Sequence, residues 1–303
     1  MNLLVVGTVA YDTVKTPFGE RSRILGGSAS YFSAAASYFT SVAVLAVVGE
    51  DFAPEDRKVL EARGVDLRAL ASLPGERTFH WKGEYGYDLN DAKTLATDLN
   101  ALSRFDPVVP EELQGVPYLF LANIDPVIQA KVLDQVPRAK VVAADTMNYW
   151  IASRRKELMD LLPRIQILVI NEAEARQLAG EYNLVRAGHK ILSWGPKMLI
   201  LKRGEYGVLK VTADAIFAAP AYPLESVFDP TGSGDSFAGG FMGHLASVGD
   251  LTPETVRQSI VMGSVMASFD VEAFSLERLV TLKREEIDER FRAFRRLTEF
   301  GDI

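Results

Sequence analysis

Short, predominantly apolar runs separated by helix-length stretches recur along almost the whole of this 303-residue chain. Leu3 to Val6, Ser41 to Val48, Tyr118 to Ala122, Val141 to Ala144, Ile167 to Ile170 and Met198 to Leu201 are strand-length. Their near-continuous hydrophobicity requires a strand covered on both faces, which is the condition of a parallel sheet between helices. Pro54 to Arg63, Pro126 to Val136, Ser153 to Leu162, Glu172 to Leu178 and Leu184 to Leu192 supply those helices, as does Tyr31 to Phe39. The rhythm predicts βαβ units and an α/β fold with a mostly parallel central sheet. Val208 to Val211 and Ala215 to Ala218 read as a late hairpin, and Ser236 to Gly249, Pro253 to Phe269 and Lys283 to Thr298 as closing helices.

One stretch breaks the rhythm. Phe79, Trp81, Tyr85 and Tyr87 recur at two-residue spacing on either side of Gly83, with charged residues between them. That pattern predicts a pair of strands with one apolar face. With residues 13–25, residues 76–87 would form a small β-sheet lid, leaving 1–12, 26–75 and 88–303 as the main domain. The aromatics could pack the lid or a homodimer interface, or stack on a flat substrate.

Composition narrows the classes of function. A net charge of −7 with no long basic stripe argues against nucleic-acid binding. No cysteine is present, which removes disulfides, thiolate nucleophiles and sulfur-ligated zinc, and is compatible with a reducing cytoplasm. The first residues, Met-Asn-Leu-Leu-Val-Val-Gly, lack a basic n-region and read as a strand. No apolar run reaches the roughly 18 residues that suggest a membrane span. The three histidines lie in unrelated contexts and do not suggest a metal cluster.

The chemistry concentrates in Asp229-Pro-Thr-Gly-Ser-Gly-Asp-Ser-Phe-Ala-Gly-Gly, residues 229–240. Glycines here permit a tight turn whose backbone N–H groups converge on an anion, aided by the positive end of the helix that follows. No Gly-Lys-Ser/Thr follows, so this is not a Walker A loop, and its late position does not suit a dinucleotide fingerprint. Asp235 stands where it could take a proton from an attacking alcohol as its bond to phosphorus forms. Equally, an aspartate in a first helical turn can act as a simple cap.

The chain resembles the ribokinase-like (PfkB) family of carbohydrate and nucleoside kinases over essentially its whole length. The family's signature, usually Asp-Thr-x-Gly-Ala-Gly-Asp, corresponds to Asp229 through Asp235, and its N-terminal Gly-Gly element to Gly26-Gly27. The resemblance implies a three-layer α/β/α sandwich with a small β lid, and an ATP- and Mg²⁺-dependent kinase. Asp235 would then be the base, and the amides of Gly232, Ser233 and Gly234 the anion hole, with Thr231 on the nucleotide side. Gly26 and Gly27 would shape the acceptor pocket. Asn171-Glu-Ala-Glu174 matches the family's Asn-x-x-Glu, placing Asn171 and Glu174 near the nucleotide phosphates and giving Glu174 a hold on Mg²⁺ through water. A helix cap followed by first-turn acids describes the same residues and is compatible with that role. Lys202-Arg-Gly-Glu-Tyr-Gly207 resembles the Lys-x-Gly-x-x-Gly turn near the nucleotide, with Gly204 and Gly207 shaping the turn. Lys202 or Arg203 would lie near phosphate, or form a solvated basic pair.

For the acceptor, the resemblance points to Asp12, whose two oxygens can bind hydroxyls, and to Asp145 between acceptor and phosphates. Asn123 faces the same crevice if the βα reading holds. One departure matters: many sugar kinases carry an asparagine shortly after Gly-Gly, whereas this chain reads Ser28-Ala-Ser30-Tyr31. Ser30 is shorter, and Tyr31 fills space or offers a ring. With Phe79, Trp81 and Tyr85 on the lid, that departure favours a ribonucleoside such as adenosine over a free sugar or sugar acid. A sensor that binds nucleotide or nucleoside without turnover is the rival of another class, and an intact Asp235 argues against it.

Overall fold

The structure, a computed structural model, describes residues 1–90 and 92–299. The chain opens with β1 (Leu3–Val6), then enters a smaller sheet as β2 (Ala10–Thr16) and β3 (Gly19–Gly26). It returns through α1 (Ser28–Ala36), β4 (Val42–Gly49), α2 (Pro54–Ala62) and β5 (Leu70–Leu73), and then completes the smaller sheet with β6 (His80–Tyr85) and β7 (Ala92–Asp98). Strands and helices alternate from there: β8 (Tyr118–Leu121), α3 (Pro126–Gln135), β9 (Val141–Ala144), α4 (Asn148–Ser153), α5 (Arg155–Leu161), β10 (Ile167–Asn171), α6 (Glu172–Ala179), α7 (Leu184–Leu192) and β11 (Met198–Lys202). The hairpin β12 (Val208–Val211) and β13 (Ile216–Ala219) precedes α8 (Ser233–Val248), α9 (Pro253–Asp270), α10 (Glu277–Thr281) and α11 (Arg284–Thr298).

The main sheet runs β13-β12-β11-β10-β9-β8-β1-β4-β5. It is parallel from β11 through β5, and the late hairpin adds the two antiparallel strands. Period-2 alternation divides each strand between two cores. Leu3 and Val5 pack with Phe32, Phe241 and Phe269 on one face, while Leu4 and Val6 pack with Leu133, Leu158 and Leu178 on the other. Each strand therefore buries side chains on both faces, which explains the unbroken apolar runs.

From β1 the sheet grows one way through β4 and β5 and the other way through β8 to β11. Strand order reverses between β1 and β8, and the carboxyl ends of a parallel sheet open a crevice at such a point. Gln129 of α3 fastens its rim, with Nε2 2.9 Å from the carbonyls of both Ala122 and Asp145.

The smaller sheet, ordered β3-β2-β6-β7, differs from the sequence expectation in three ways. Phe79, Trp81 and Tyr85 do not fall on two strands: Gly83 lies inside the single strand β6, where the Trp81 indole folds over its α-carbon and a side chain would collide with the ring. The antiparallel partner of β6 is β7, within the stretch assigned to the main domain from sequence. Its residues, Ala-Lys-Thr-Leu-Ala-Thr-Asp, are almost all exposed and carry no apolar alternation to reveal a strand. Asp12 and Gly26 also belong to this sheet, since β2 begins at Ala10 and β3 ends at Gly26.

Candidate active site

Five segments meet at the crevice, most of them at the end of an element. Asp145 follows β9, Asn171 and Lys202 end β10 and β11, Asp12 comes from β2, and residues 229–235 lead into α8. Gly232 is the N-cap of α8 and has φ of +81°, a left-handed conformation that a side chain would resist. The Tyr31 ring lies directly against its α-carbon, so Tyr31 fills the space beneath the turn. Asp229 braces the turn from before, accepting the Thr231 N–H at 2.9 Å and the Ser275 N–H at 3.4 Å.

The turn offers a different set of amides from the one expected. The Ser233 N–H donates to the Pro230 carbonyl at 3.2 Å, closing the turn on itself. Among the described residues, the N–H groups of Gly232, Gly234 and Asp235 have no protein acceptor. They are the first-turn donors that a helix leaves unsatisfied, and they suit an anion.

Lys202 and Arg203 point to different places. The Lys202 ammonium lies 3.1 Å from Asp145 Oδ2, and a β-carbon on Gly234 would stand 2.8 Å from its Nζ. Its charge thus reaches the anion-binding turn. Burial works against that charge, but Asp145, Glu174 and Asp235 outweigh it and hold Lys202 above its usual range. Arg203 turns outward, its Nε 3.3 Å from Glu172. Gly204 and Gly207 both have positive φ and shape the turn, and Gly204 abuts Asn90.

Burial raises the carboxyls of the cluster. Asp235 is pushed up to about 7, first by burial and then by Asp145, against the pull of Lys202. Glu174 is also pushed up to about 7, by burial and then Asp145. Its Oε2 accepts the Asn171 N–H while Asn171 Oδ1 accepts the Glu174 N–H, both at 2.8 Å, a reciprocal capping box. Asn171 Nδ2 and Glu174 Oε1 remain for other partners. No group of three His, Asp or Glu side chains able to hold a metal occurs among the described residues. A Mg²⁺ here would therefore rely on phosphate oxygens and water, as that hard, octahedral ion commonly does.

On the acceptor side, Asp12 is 4% exposed, its carboxyl packed on the Gly26 α-carbon. Burial and then Asp229 push it up to about 8, while the Gly27 amide draws it down. Trp81 is its register partner across the β2–β6 pair, and therefore lies on the same face of the small sheet. The indole Nε1 donates to Thr94 Oγ1 at 3.2 Å. Phe79 precedes the strand, half-buried, its carbonyl accepting the Tyr11 N–H at 2.9 Å. Asn123 is tied sideways, accepting from Trp150 Nε1 at 3.1 Å and donating to Met147 Sδ at 3.3 Å. Ser30 is fully buried in α1.

Sequence reasoning did not assign Trp150 or Asp270 a role, and offered Tyr85 only as an aromatic that could stack on a base. Tyr85 reaches from the lid to accept the Thr231 hydroxyl at 3.3 Å, and Thr16 Oγ1 donates to the Phe228 carbonyl at 2.9 Å. The lid is thus fastened to the segment that carries the turn. Two-residue spacing with Trp81 was the signal for Tyr85. Asp270, at the end of an otherwise apolar helical run, was marked by its polarity alone.

Residues 3–279 match the profile of the pfkB family of carbohydrate kinases. The chain belongs to the pfkB family. Members of this family are ATP-dependent phosphotransferases that use Mg²⁺. A cytidine kinase of Thermococcus kodakarensis is 30% identical over 249 residues, covering 80% of this pfkB chain and 87% of the relative. Among solved structures, the E. coli protein assigned as a ribokinase II, in complex with ATP and Mg²⁺, superposes with a TM-score of 0.79 at 19% identity, covering 96% of this chain and 99% of that one. Burkholderia thailandensis nucleoside kinase in complex with inosine gives 0.76 at 18%, covering 96% and 98%. At those identities the superpositions establish the ribokinase fold, with its mostly parallel main sheet and small second sheet.

Proposed function

We propose that this pfkB kinase transfers the ATP γ-phosphate to the primary hydroxyl of a ribonucleoside. The observation that carries the reading is the pairing of Asp12 and Trp81 on one face of the small sheet, with Gly83 leaving room for the indole to lie flat. A buried carboxyl suits ribose hydroxyls, and an indole beside it offers a base a stacking surface that a free sugar would not need. The 30% identity to a cytidine kinase supports the same class of acceptor.

In this reading the acceptor CH₂OH lies between Asp235 and the donor phosphate. Asp235, as carboxylate, takes the hydroxyl proton as the new O–P bond forms and the bond from the γ-phosphorus to the β-phosphate oxygen breaks, so that ADP leaves. The unpaired amides of Gly232, Gly234 and Asp235, with the Lys202 ammonium, stabilise negative charge on the transferring group. Thr231 lies on the nucleotide side, and Gly204 and Gly207 shape the turn beside the phosphates. Bound Mg²⁺ supplies charge neutralisation between the phosphates, and Glu174 with Asn171 would hold its water shell. Asp145 holds Lys202 in place, Gly26 and Gly27 bring the Asp12 carboxyl to the pocket, and Asn123 and Phe79 line its far side. Tyr31 supports the turn from below, beside Ser30 in the same helix.

No helix among the described residues is long and apolar enough to cross a membrane, and we place the enzyme in the cytoplasm. The outer strands of the small sheet, β3 and β7, each have an unpaired edge along which two lids could pair in a homodimer.

The test is ATP consumption across a panel of nucleosides and sugars, with adenosine and cytidine leading it, repeated with Trp81→Ala. Turnover should favour nucleosides, and the variant should raise the nucleoside KM on the order of 10-fold, as expected for loss of one stacking platform. Equal or better turnover of free ribose or fructose, unaffected by Trp81→Ala, would overturn the nucleoside assignment.

A further inference from the structure

Behind the catalytic turn lies a buried carboxyl that the proposed reaction does not use. Asp270 is 1% exposed, and neither of its oxygens has a hydrogen-bond partner. It is the last residue of α9, where the negative end of the helix opposes a carboxylate. The charged groups that act on it are Asp229 and Asp235, both acids. An ionised, uncompensated carboxylate in that setting would be very costly, and such a group takes up a proton instead. Facing it from α8 is Ser236, whose fully buried hydroxyl is also unpartnered. Ser236 directly follows Asp235, and its N–H donates to the Gly232 carbonyl at 2.8 Å, inside the turn itself. Helices α8 and α9 pack closely through their glycines, Gly263 against Phe237 and Gly240 against Met262 and Met266, and this packing holds the two elements that carry Ser236 and Asp270 together.

We infer that Asp270 is a positioning residue for phosphoryl transfer, a neutral carboxylic acid that hydrogen-bonds Ser236 and thereby fixes the first turn of α8. A neutral acid has one donor and a free acceptor, so it can satisfy the Ser236 hydroxyl whichever way that hydroxyl points. Fixing Ser236 fixes Asp235 and the amides of Gly232 and Gly234, because all lie within one turn of backbone. The carbonyl of Val271, next to Asp270, accepts the Phe228 N–H at 2.8 Å and anchors the other end of the segment. The end of α9 therefore grips residues 228–236 at both ends. This role depends on the phosphotransfer chemistry of the family and not on which alcohol is the acceptor.

The experiment compares Asp270→Asn, Asp270→Ala and Ser236→Ala in the full chain, measuring kcat, the KM for ATP and for the best acceptor, and thermal unfolding. An amide keeps one donor and one acceptor without charge, so Asp270→Asn should hold kcat within about 3-fold of the wild type. Asp270→Ala should lower kcat on the order of 10- to 100-fold through misplacement of the turn, with the ATP KM little changed. Ser236→Ala should fall with it, and the double variant should be no worse than Asp270→Ala alone. If Asp270→Asn is as damaging as Asp270→Ala, and activity tracks added monovalent or divalent cations, the residue acts as a charged ligand and the inference is wrong. Unchanged kcat in Ser236→Ala would also overturn it, and that variant keeps the test decisive should Asp270→Ala fail to fold.

Discussion

Replacing Lys202 by methionine removes the cation that stands among Asp145, Glu174 and Asp235 while keeping most of the side chain's volume. At 3.1 Å from Asp145 Oδ2, the attraction amounts to about 5 kcal/mol at an effective dielectric near 20, before the desolvation of both ions is subtracted. Removing one partner of a buried pair typically costs about 3–5 kcal/mol, because the other charge is left uncompensated. Here the acids can limit the loss by taking up a proton, since Asp235 and Glu174 are already pushed up to about 7 with Lys202 present. Urea unfolding should therefore give a loss of about 3 kcal/mol for Lys202→Met at pH 8, and visibly less at pH 6. Asp145→Asn should also destabilise, and the double variant should recover part of the sum, with a coupling energy of about 2 kcal/mol. Additive losses within about 0.5 kcal/mol, equal at both pH values, would refute the view that this pair holds the cluster together.

Activity and stability should respond to pH in opposite directions. Asp235 acts as a carboxylate, so kcat/KM should climb through about pH 7 and level off above it. Asp12, pushed up to about 8, and Asp235 both hold protons more tightly folded than at the usual 3.8. Their contribution to stability is lost as pH rises through those folded values, so the melting temperature of the nucleotide-free protein should fall between pH 5 and pH 8.5, and a rise over that interval would contradict the burial argument. Gly232→Ala must adopt φ of +81° and push against the Tyr31 ring, which should cost about 1–2 kcal/mol from the backbone alone and lower kcat more than the ATP KM. A variant with wild-type kcat would mean that the turn tolerates distortion.

Much of the fold was legible because parallel strands buried on both faces write themselves as apolar runs, and these located the parallel strands of the main sheet except β5, an edge strand too exposed to show one. The turn at residues 229–235 was legible because its glycines and acid have few other uses together. The lid was read less well. The aromatics on either side of Gly83 suggested two strands, but Gly83 lies inside one, β6, where its lack of a side chain makes room for the Trp81 indole, a contact that the alternation alone does not reveal. Exposed β7 was invisible because a strand that buries little needs no periodicity. The separation of Lys202 from Arg203 was likewise unreadable, since adjacent residues at a strand end point opposite ways and only the fold decides which one turns inward. Asp270 went unassigned because its significance lies in what surrounds it and not in its sequence position.

The central claim is that Asp235 takes the proton of the acceptor alcohol at an anion-binding turn that remains intact without it. Single-turnover phosphoryl transfer from ATP labelled at the γ-position, measured together with ATP affinity in Asp235→Asn, tests both halves. The account predicts transfer slowed by about 10²- to 10⁴-fold with ATP affinity held within about 3-fold. Transfer at close to the wild-type rate would contradict it.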